Sequence, residues 1–246
     1  MKYLLILFIA LVLFNCNEKE AKAINAEEII NKSITASGVK KLDNAVISFD
    51  FRDKHYEAGR YGGNFVMKRQ FIEATDTIID YLSNKNFERR VNGSLIAVQD
   101  SLVTLYSASI NSVHYFAVLP YGLDGKAVNK KYLDSVNLKG QMYHKIKVTF
   151  SKDGGGEDFE DIFIYWVNTE TSKIEYLAYS YNEDDGKGLR FREAYNERTI
   201  NEVRFVDYNN YKPKNDTVNL EDLDELFVEN KLEFISKIEL ETISVN

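Results

Sequence analysis

Twelve apolar or aromatic residues, Tyr3 to Phe14, follow the single positive charge of Lys2 and end at Asn15-Cys16. The run has the basic start and apolar middle of a secretory signal, and it is shorter than the roughly 20 residues a membrane-spanning helix takes. Behind it the pattern turns helical. Asn25 with Glu28 three positions on forms a capping-box spacing, Ile29, Ile30 and Ile34 share one face, and Gly38 is placed to end the helix.

From residue 45 the period changes to two. Ala45, Ile47, Phe49 and Phe51 alternate with Val46, Ser48, Asp50 and Arg52, which predicts a strand with one face covered and one wetter. A second strand from Asn64 to Ile72 puts Phe65, Met67 and Phe71 on one side, and Asn92-Gly93 marks a hairpin between Phe87 to Val91 and Leu95 to Val98. Helical spacing returns from Asp100 to Leu119, where Leu102, Leu105, Tyr106, Val113 and Phe116 line up, Asp100 can cap the start, and Pro120 stops the run. This is one helix, or two broken near Ser109.

Strands resume over Lys131 to Asn137, Gln141 to Phe150, Phe159 to Val167, Ile174 to Tyr181, Leu189 to Tyr195 and Glu202 to Tyr211. Gly154-Gly155-Gly156 and Glu183 to Gly188 read as loops, Leu220 to Phe227 as a short helix, and Leu232 to Leu240 as a last strand. No internal repeat and no linker appears after residue 38. The sum is an α+β domain over residues 25–246: a curved antiparallel β-meander of about ten strands with two or three helices packed on it. In Ile162 to Val167 both alternating sets are apolar, so both faces of that strand need cover, from a second core or from the lining of a cavity.

Composition sharpens this picture at three points. The net charge of −7 argues against a nucleic-acid binder held by phosphate contacts. At 44% hydrophobic and 28% charged, the chain is an ordinary folded domain and not a disordered one. Its one cysteine excludes an internal disulfide framework and any Cys-rich zinc site, and that cysteine stands at the end of the apolar run. Leu13, then Phe14-Asn15, then Cys16 and the polar Asn17-Glu18-Lys19-Glu20 resemble a bacterial lipoprotein signal, with Phe14 and Asn15 where that pattern has small residues. The resemblance implies removal of residues 1–15, acylation of Cys16, and a flexible tether over 16–24 that holds the domain off the membrane.

A second resemblance lies in the mature chain. Asn111 to Phe116 with Leu119-Pro120, Tyr132-Leu133 through Gly140 to Val148, and Asp207-Tyr208-Asn209-Asn210-Tyr211 are similar to an uncharacterised family of Bacteroidetes-type lipoproteins. The order of elements resembles the half-barrel of periplasmic lipoprotein carriers and their outer-membrane receptors. That likeness implies a sheet wrapped around helices with an apolar cavity for acyl chains, in a protein lipid-anchored to the outer membrane of the cell envelope. It implies no chemistry.

The residues themselves show no catalytic signature. His55, His114 and His144 are too far apart in sequence to form a local metal pair, and no nucleophile elbow, Walker loop or dinucleotide fingerprint is present. His114 and His144 read as core histidines and His55 as a surface one. The acidic clusters Glu157-Asp158 with Glu160-Asp161, and Glu183-Asp184-Asp185, read as solvated turns, since they lack the spacing of a calcium loop. The expectation is therefore a monomeric, non-enzymatic binding module without cofactor or metal, holding a lipid or another apolar or amphipathic molecule. Phe49, Phe51, Phe65, Tyr115, Phe116, Phe163, Tyr165 and Trp166 are its candidate lining. An envelope hydrolase using converged histidines and carboxylates, or a structural or partner-binding lipoprotein, are the alternatives. Cells fed radiolabelled palmitate should label the protein, and labelling that survives Cys16→Ala would refute acylation at that cysteine.

Overall fold

The computed structural model describes residues 24–154, 159–183, 186–215 and 217–246. The signal, Cys16, residues 16–23 of the tether, and the acidic clusters at 157–158 and 184–185 lie outside them.

Helix α1 (Ala26–Ala36) begins under the Asn25 side chain, which accepts from the Glu27 N–H at 2.9 Å. Gly38 then takes a positive φ of 67°, and a Cβ there would collide with the Glu202 carbonyl, so glycine is required. A 3-10 turn (Val39–Asn44) leads into six strands: β1 (Val46–Phe51), β2 (Lys54–Tyr61), β3 (Asn64–Glu73), β4 (Asp76–Ser83), β5 (Phe87–Val91) and β6 (Ser94–Ile96). Helix α2 (Asp100–Ala117) follows, unbroken at Ser109 and capped by Gln99 backbone, with Asp100 in its first turn. The second run is β7 (Val128–Leu138), β8 (Gln141–Phe150), β9 (Ile162–Asn168), β10 (Ile174–Glu183), β11 (Gly186–Ile200) and β12 (Val203–Pro213). Helix α3 (Leu223–Val228) precedes β13 (Leu232–Ile238) and β14 (Glu241–Val245).

The strands form two open seven-stranded antiparallel sheets, β14-β1-β2-β3-β4-β5-β6 and β13-β12-β11-β10-β9-β8-β7. This is the expected α+β meander with fourteen strands in place of about ten. Three of the additional strands, β2, β4 and β14, escape the hydropathy pattern. The inward residues of β2 are Tyr56, Ala58 and Arg60, and those of β4 include Asp80, so buried charge interrupts the apolar alternation. β14 is separated from β13 by only Glu239-Leu240, and the two read together as one strand.

The break between β13 and β14 carries the chain from the second sheet to the first. It is fixed by Asp207, whose Oδ1 accepts from the Leu240 N–H at 3.0 Å and from Arg198 Nη2 at 2.8 Å, while that same Nη2 donates to the Leu240 carbonyl. One core joins both sheets to α1 and α2 through residues such as Ile30, Phe49, Ile110, Tyr165 and Phe205. A second core lies on the other face of the second sheet, where α3 covers Ile164, Trp166, Tyr176 and Phe191. Both faces of β9 are thus covered by side chains.

Helix α2 is anchored to the first sheet by charge. Asp80, fully buried, accepts from Arg69 Nε and Nη2 at 3.0 and 2.6 Å and from Arg89 Nε and Nη2 at 2.6 and 3.0 Å. Arg69 Nη1 continues to Ser109 Oγ of α2 at 3.0 Å, and Arg89 lies 3.8 Å from the Tyr106 ring centroid. Removing the carboxylate leaves two guanidiniums unpaired, at a cost of about 3–5 kcal/mol. Asp80→Ala should lower the urea midpoint accordingly; a loss under about 1 kcal/mol, the range of an exposed pair, would show that the network is not needed.

Candidate functional site

Helix α2 lies between the sheets and leaves a crevice on either flank. Towards the second sheet, Ser112, Val113, Phe116 and Ala117 face Phe51 and Arg52, Arg192 of β11, Val206, Tyr208 and Asn210 of β12, and Ile238 and Leu240, around a cavity of about 210 Å³. The local sequence explains the grouping. On α2, positions 113, 116 and 117 share a face by helical spacing. On the sheet, Arg192 stands directly opposite Asn210 in the β11–β12 register, and alternation puts Tyr208 on the same side.

Arg192 is 8% exposed. Its Nη2 donates to the Tyr179 hydroxyl at 2.7 Å, and its guanidinium lies 3.9 Å from the Phe116 ring centroid and 5.0 Å from that of Tyr179. Its Nε has no hydrogen-bond partner among the described residues, and neither has Asn210 Oδ1. Beneath these side chains the rings form one cluster of tilted pairs: Phe116 meets Tyr179 at 5.0 Å, Tyr115 meets Phe163 at 5.4 Å, and the Tyr115 and Tyr165 hydroxyls are 2.5 Å apart. Burial holds both of those tyrosines well above the usual phenol pKa, so they stay neutral.

On the other flank, Arg60, Phe65, Met67, His114, Tyr115, Val118 and Tyr121 border a second crevice of about 490 Å³, with Asp43 and Asn111 among its polar lining. His114 is fully buried, edge-on to Phe49 and Tyr56 at 5.5 and 5.7 Å. Neither of its ring nitrogens has a hydrogen-bond partner by geometry among the described residues, although the Lys68 backbone lies close enough to raise its pKa slightly against the other effects. Burial, then the Arg60 charge, holds its pKa down to about 3. Arg60 lies over the Tyr121 ring at 4.8 Å, and its Nη1 has no hydrogen-bond partner among the described residues. The Tyr121 hydroxyl donates to Asp43 Oδ1 at 3.0 Å, and burial pushes its pKa up to about 12.

The eight candidate aromatics are therefore divided. Phe51 and Phe116 line the first crevice, Phe65 and Tyr115 the second. Phe49, Phe163 and Tyr165 are packed within the core, and Trp166 lies on the far face of β9, where its indole donates to Asp224 Oδ2 at 3.1 Å. The polar lining residues Arg192, Asn210 and Arg60 were not legible as such. In Leu189-Arg190-Phe191-Arg192 the apolar pair faces the outer core under α3, so the basic pair that looks solvent-facing points inward.

The histidines do not share partners. His55 Nδ1 meets Asp50 Oδ1 at 2.6 Å near the surface, and His144 is half-buried, not core, with Nδ1 3.2 Å from Ser135 Oγ. Among the described residues, no group of three His, Cys, Asp or Glu is placed to hold a metal ion.

An open antiparallel α+β fold with a helix-filled interior and two crevices is the class this geometry defines. The chain belongs to DUF6503, a family of unknown function, whose model it matches over residues 2–240. Solved structures with a similar fold include a LolA superfamily protein from Nitrosomonas europaea, 10% identical over 91% of this chain and 92% of that one, with a TM-score of 0.47. A DUF1329 family protein from Desulfovibrio piger is 10% identical over 89% and 92%, with a TM-score of 0.44. The lipoprotein LppX of Mycobacterium tuberculosis is 10% identical over 79% and 97%, with a TM-score of 0.30. A comparison with curated proteins finds no match.

His114 has a pH signature. Its folded pKa lies below its unfolded value of 6.5, so below that pH the unfolded chain takes up a proton that the folded chain refuses. The resulting loss of stability is about 1.4 kcal/mol per pH unit from roughly pH 6.5 down towards pH 3. Urea unfolding at about pH 7 and about pH 4.5 should show a smaller acid loss in His114→Phe than in the parent; equal losses would mean that the imidazole ionises in place.

Proposed function

We propose that the protein is a membrane-anchored, non-enzymatic binding module of the cell envelope that holds an apolar or amphipathic molecule in the crevice between α2 and β11–β12. The observation that carries this is the wall itself. Val113, Phe116, Val206, Ile238 and Leu240 border an interior space beside a helix that fills the rest of the sheet, and small-molecule sites are built from such apolar linings with a few polar groups. The position of Cys16 behind an apolar run supports anchoring at the outer membrane by acyl chains, at about 0.8 kcal/mol per buried methylene. The histidines stand apart, and His55, which meets the carboxylate of Asp50, lies near the surface and lines neither crevice.

A chain begun at residue 17 keeps every described contact and tests the crevice without an anchor. The uncharged dye N-phenyl-1-naphthylamine should bind it saturably, and Val113→Trp, which fills the crevice, should weaken binding by roughly tenfold or more. No saturable binding, or binding unchanged by Val113→Trp, would remove the proposal.

A further inference from the structure

We infer that the crevice beside Arg192 recognises the head of its ligand as an anion, so that the bound molecule is an amphiphile with a monoanionic, carboxylate-type head. This rests on the crevice being a binding site, and adds the chemistry of what enters it.

The ground is a contrast among buried basic side chains. Arg69 shares Asp80 with Arg89, Lys145 is paired with Asp224, and Arg204 with Glu197. Arg60 has no such ion pair and burial lowers its pKa, but Tyr121 and the carboxylate of Asp43 lie near enough to oppose that shift in part. Arg192 is buried to the same degree, and its hydrogen-bond and ring partners among the described residues are all neutral: the Tyr179 hydroxyl and the faces of Phe116, Tyr179 and Tyr208. Aromatic faces attract a cation but do not neutralise it. A guanidinium kept from water without a counter-charge is a costly arrangement, and an anion arriving with the ligand relieves it.

The geometry of the site suits a carboxylate. Arg192 Nε–H has no hydrogen-bond partner among the described residues, and Nη2 carries two hydrogens of which Tyr179 takes one, so N–H groups are left to offer two oxygens. Asn210, opposite Arg192, has its Nδ2 3.5 Å from Ser236 Oγ and its Oδ1 unpartnered. Turned end for end, the amide accepts from the Ser236 hydroxyl and is left with an N–H to offer an anion. From this polar corner the apolar wall formed by Val113, Val206 and Leu240 is available to the alkyl chain.

Octanoate and 1-octanol carry the same chain and differ in the head, so displacement of N-phenyl-1-naphthylamine from the chain begun at residue 17 separates the two ideas. Octanoate should displace the dye at a concentration lower by roughly tenfold or more than octanol. Arg192→Met, which keeps the stem against Phe116, should abolish that preference while octanol binding persists, and Arg192→Lys should retain part of it. Equal affinities for acid and alcohol in the parent protein overturn the anion recognition and leave the apolar crevice standing. Displacement by neither overturns both. The comparison in the parent protein decides the matter even where Arg192→Met does not fold.

Discussion

A carboxylate with no exposure to water holds the helix around which the interior is arranged. Asp80 collects two guanidiniums from neighbouring strands, and each guanidinium then meets α2, one at Ser109 and the other at the ring of Tyr106. Apolar contacts fix how deep a helix sinks into a sheet but constrain its sliding and rotation weakly; directional hydrogen bonds to a buried charge remove that freedom. With α2 held at Tyr106 and Ser109, its later residues are placed too. His114 faces the first sheet, and Phe116 reaches the second. The two crevices are the space left on either side of a helix that is tied near its middle and wedged towards its C-terminal end.

Charge recurs wherever the fold has to be specific. Lys145, Asp224 and Trp166 fasten α3 over the outer core, and Arg198 with Asp207 fixes the crossing between the sheets. Buried pairs of this kind add little net stability over apolar residues of the same shape, because desolvation offsets most of the attraction. What they provide here is position. Arg192 belongs to the same set of inward-pointing charges, but its hydrogen-bond and ring partners among the described residues are neutral, and the counter-ion we propose for it comes from outside.

How far the sequence could be read depended on whether buried positions were apolar. β8 matches its expected bounds from Gln141 to Phe150, and α1 begins at Asn25 and ends before Gly38 as its pattern predicts. The resemblance carried by Asn111 to Phe116 and by Gly140 to Val148 led to an uncharacterised family, and the chain belongs to one. β2 and β4 were hidden because Arg60 and Asp80 occupy inward places that a hydropathy pattern assigns to solvent. For the same reason the aromatics stood out and the cations beside them did not. Phe51, Phe116, Phe65 and Tyr115 could be proposed as lining from their type, whereas Arg192 needed the second core, since only α3 explains why Leu189 and Phe191 turn away from the interior. Trp166 shows the converse: an aromatic on the right strand but on the other face.

The final strand gives the architecture an asymmetry of a different kind. β13 closes one edge of the second sheet, and a few residues later β14 closes one edge of the first by pairing with β1. Two sheets that are otherwise consecutive meanders are therefore stitched together by β14. Without β14, β1 would present an open edge with its backbone groups unpaired, the kind of edge to which a foreign strand adds. The first sheet is in this sense completed by a strand that follows the whole of the second, so each sheet depends on the other's place in the chain.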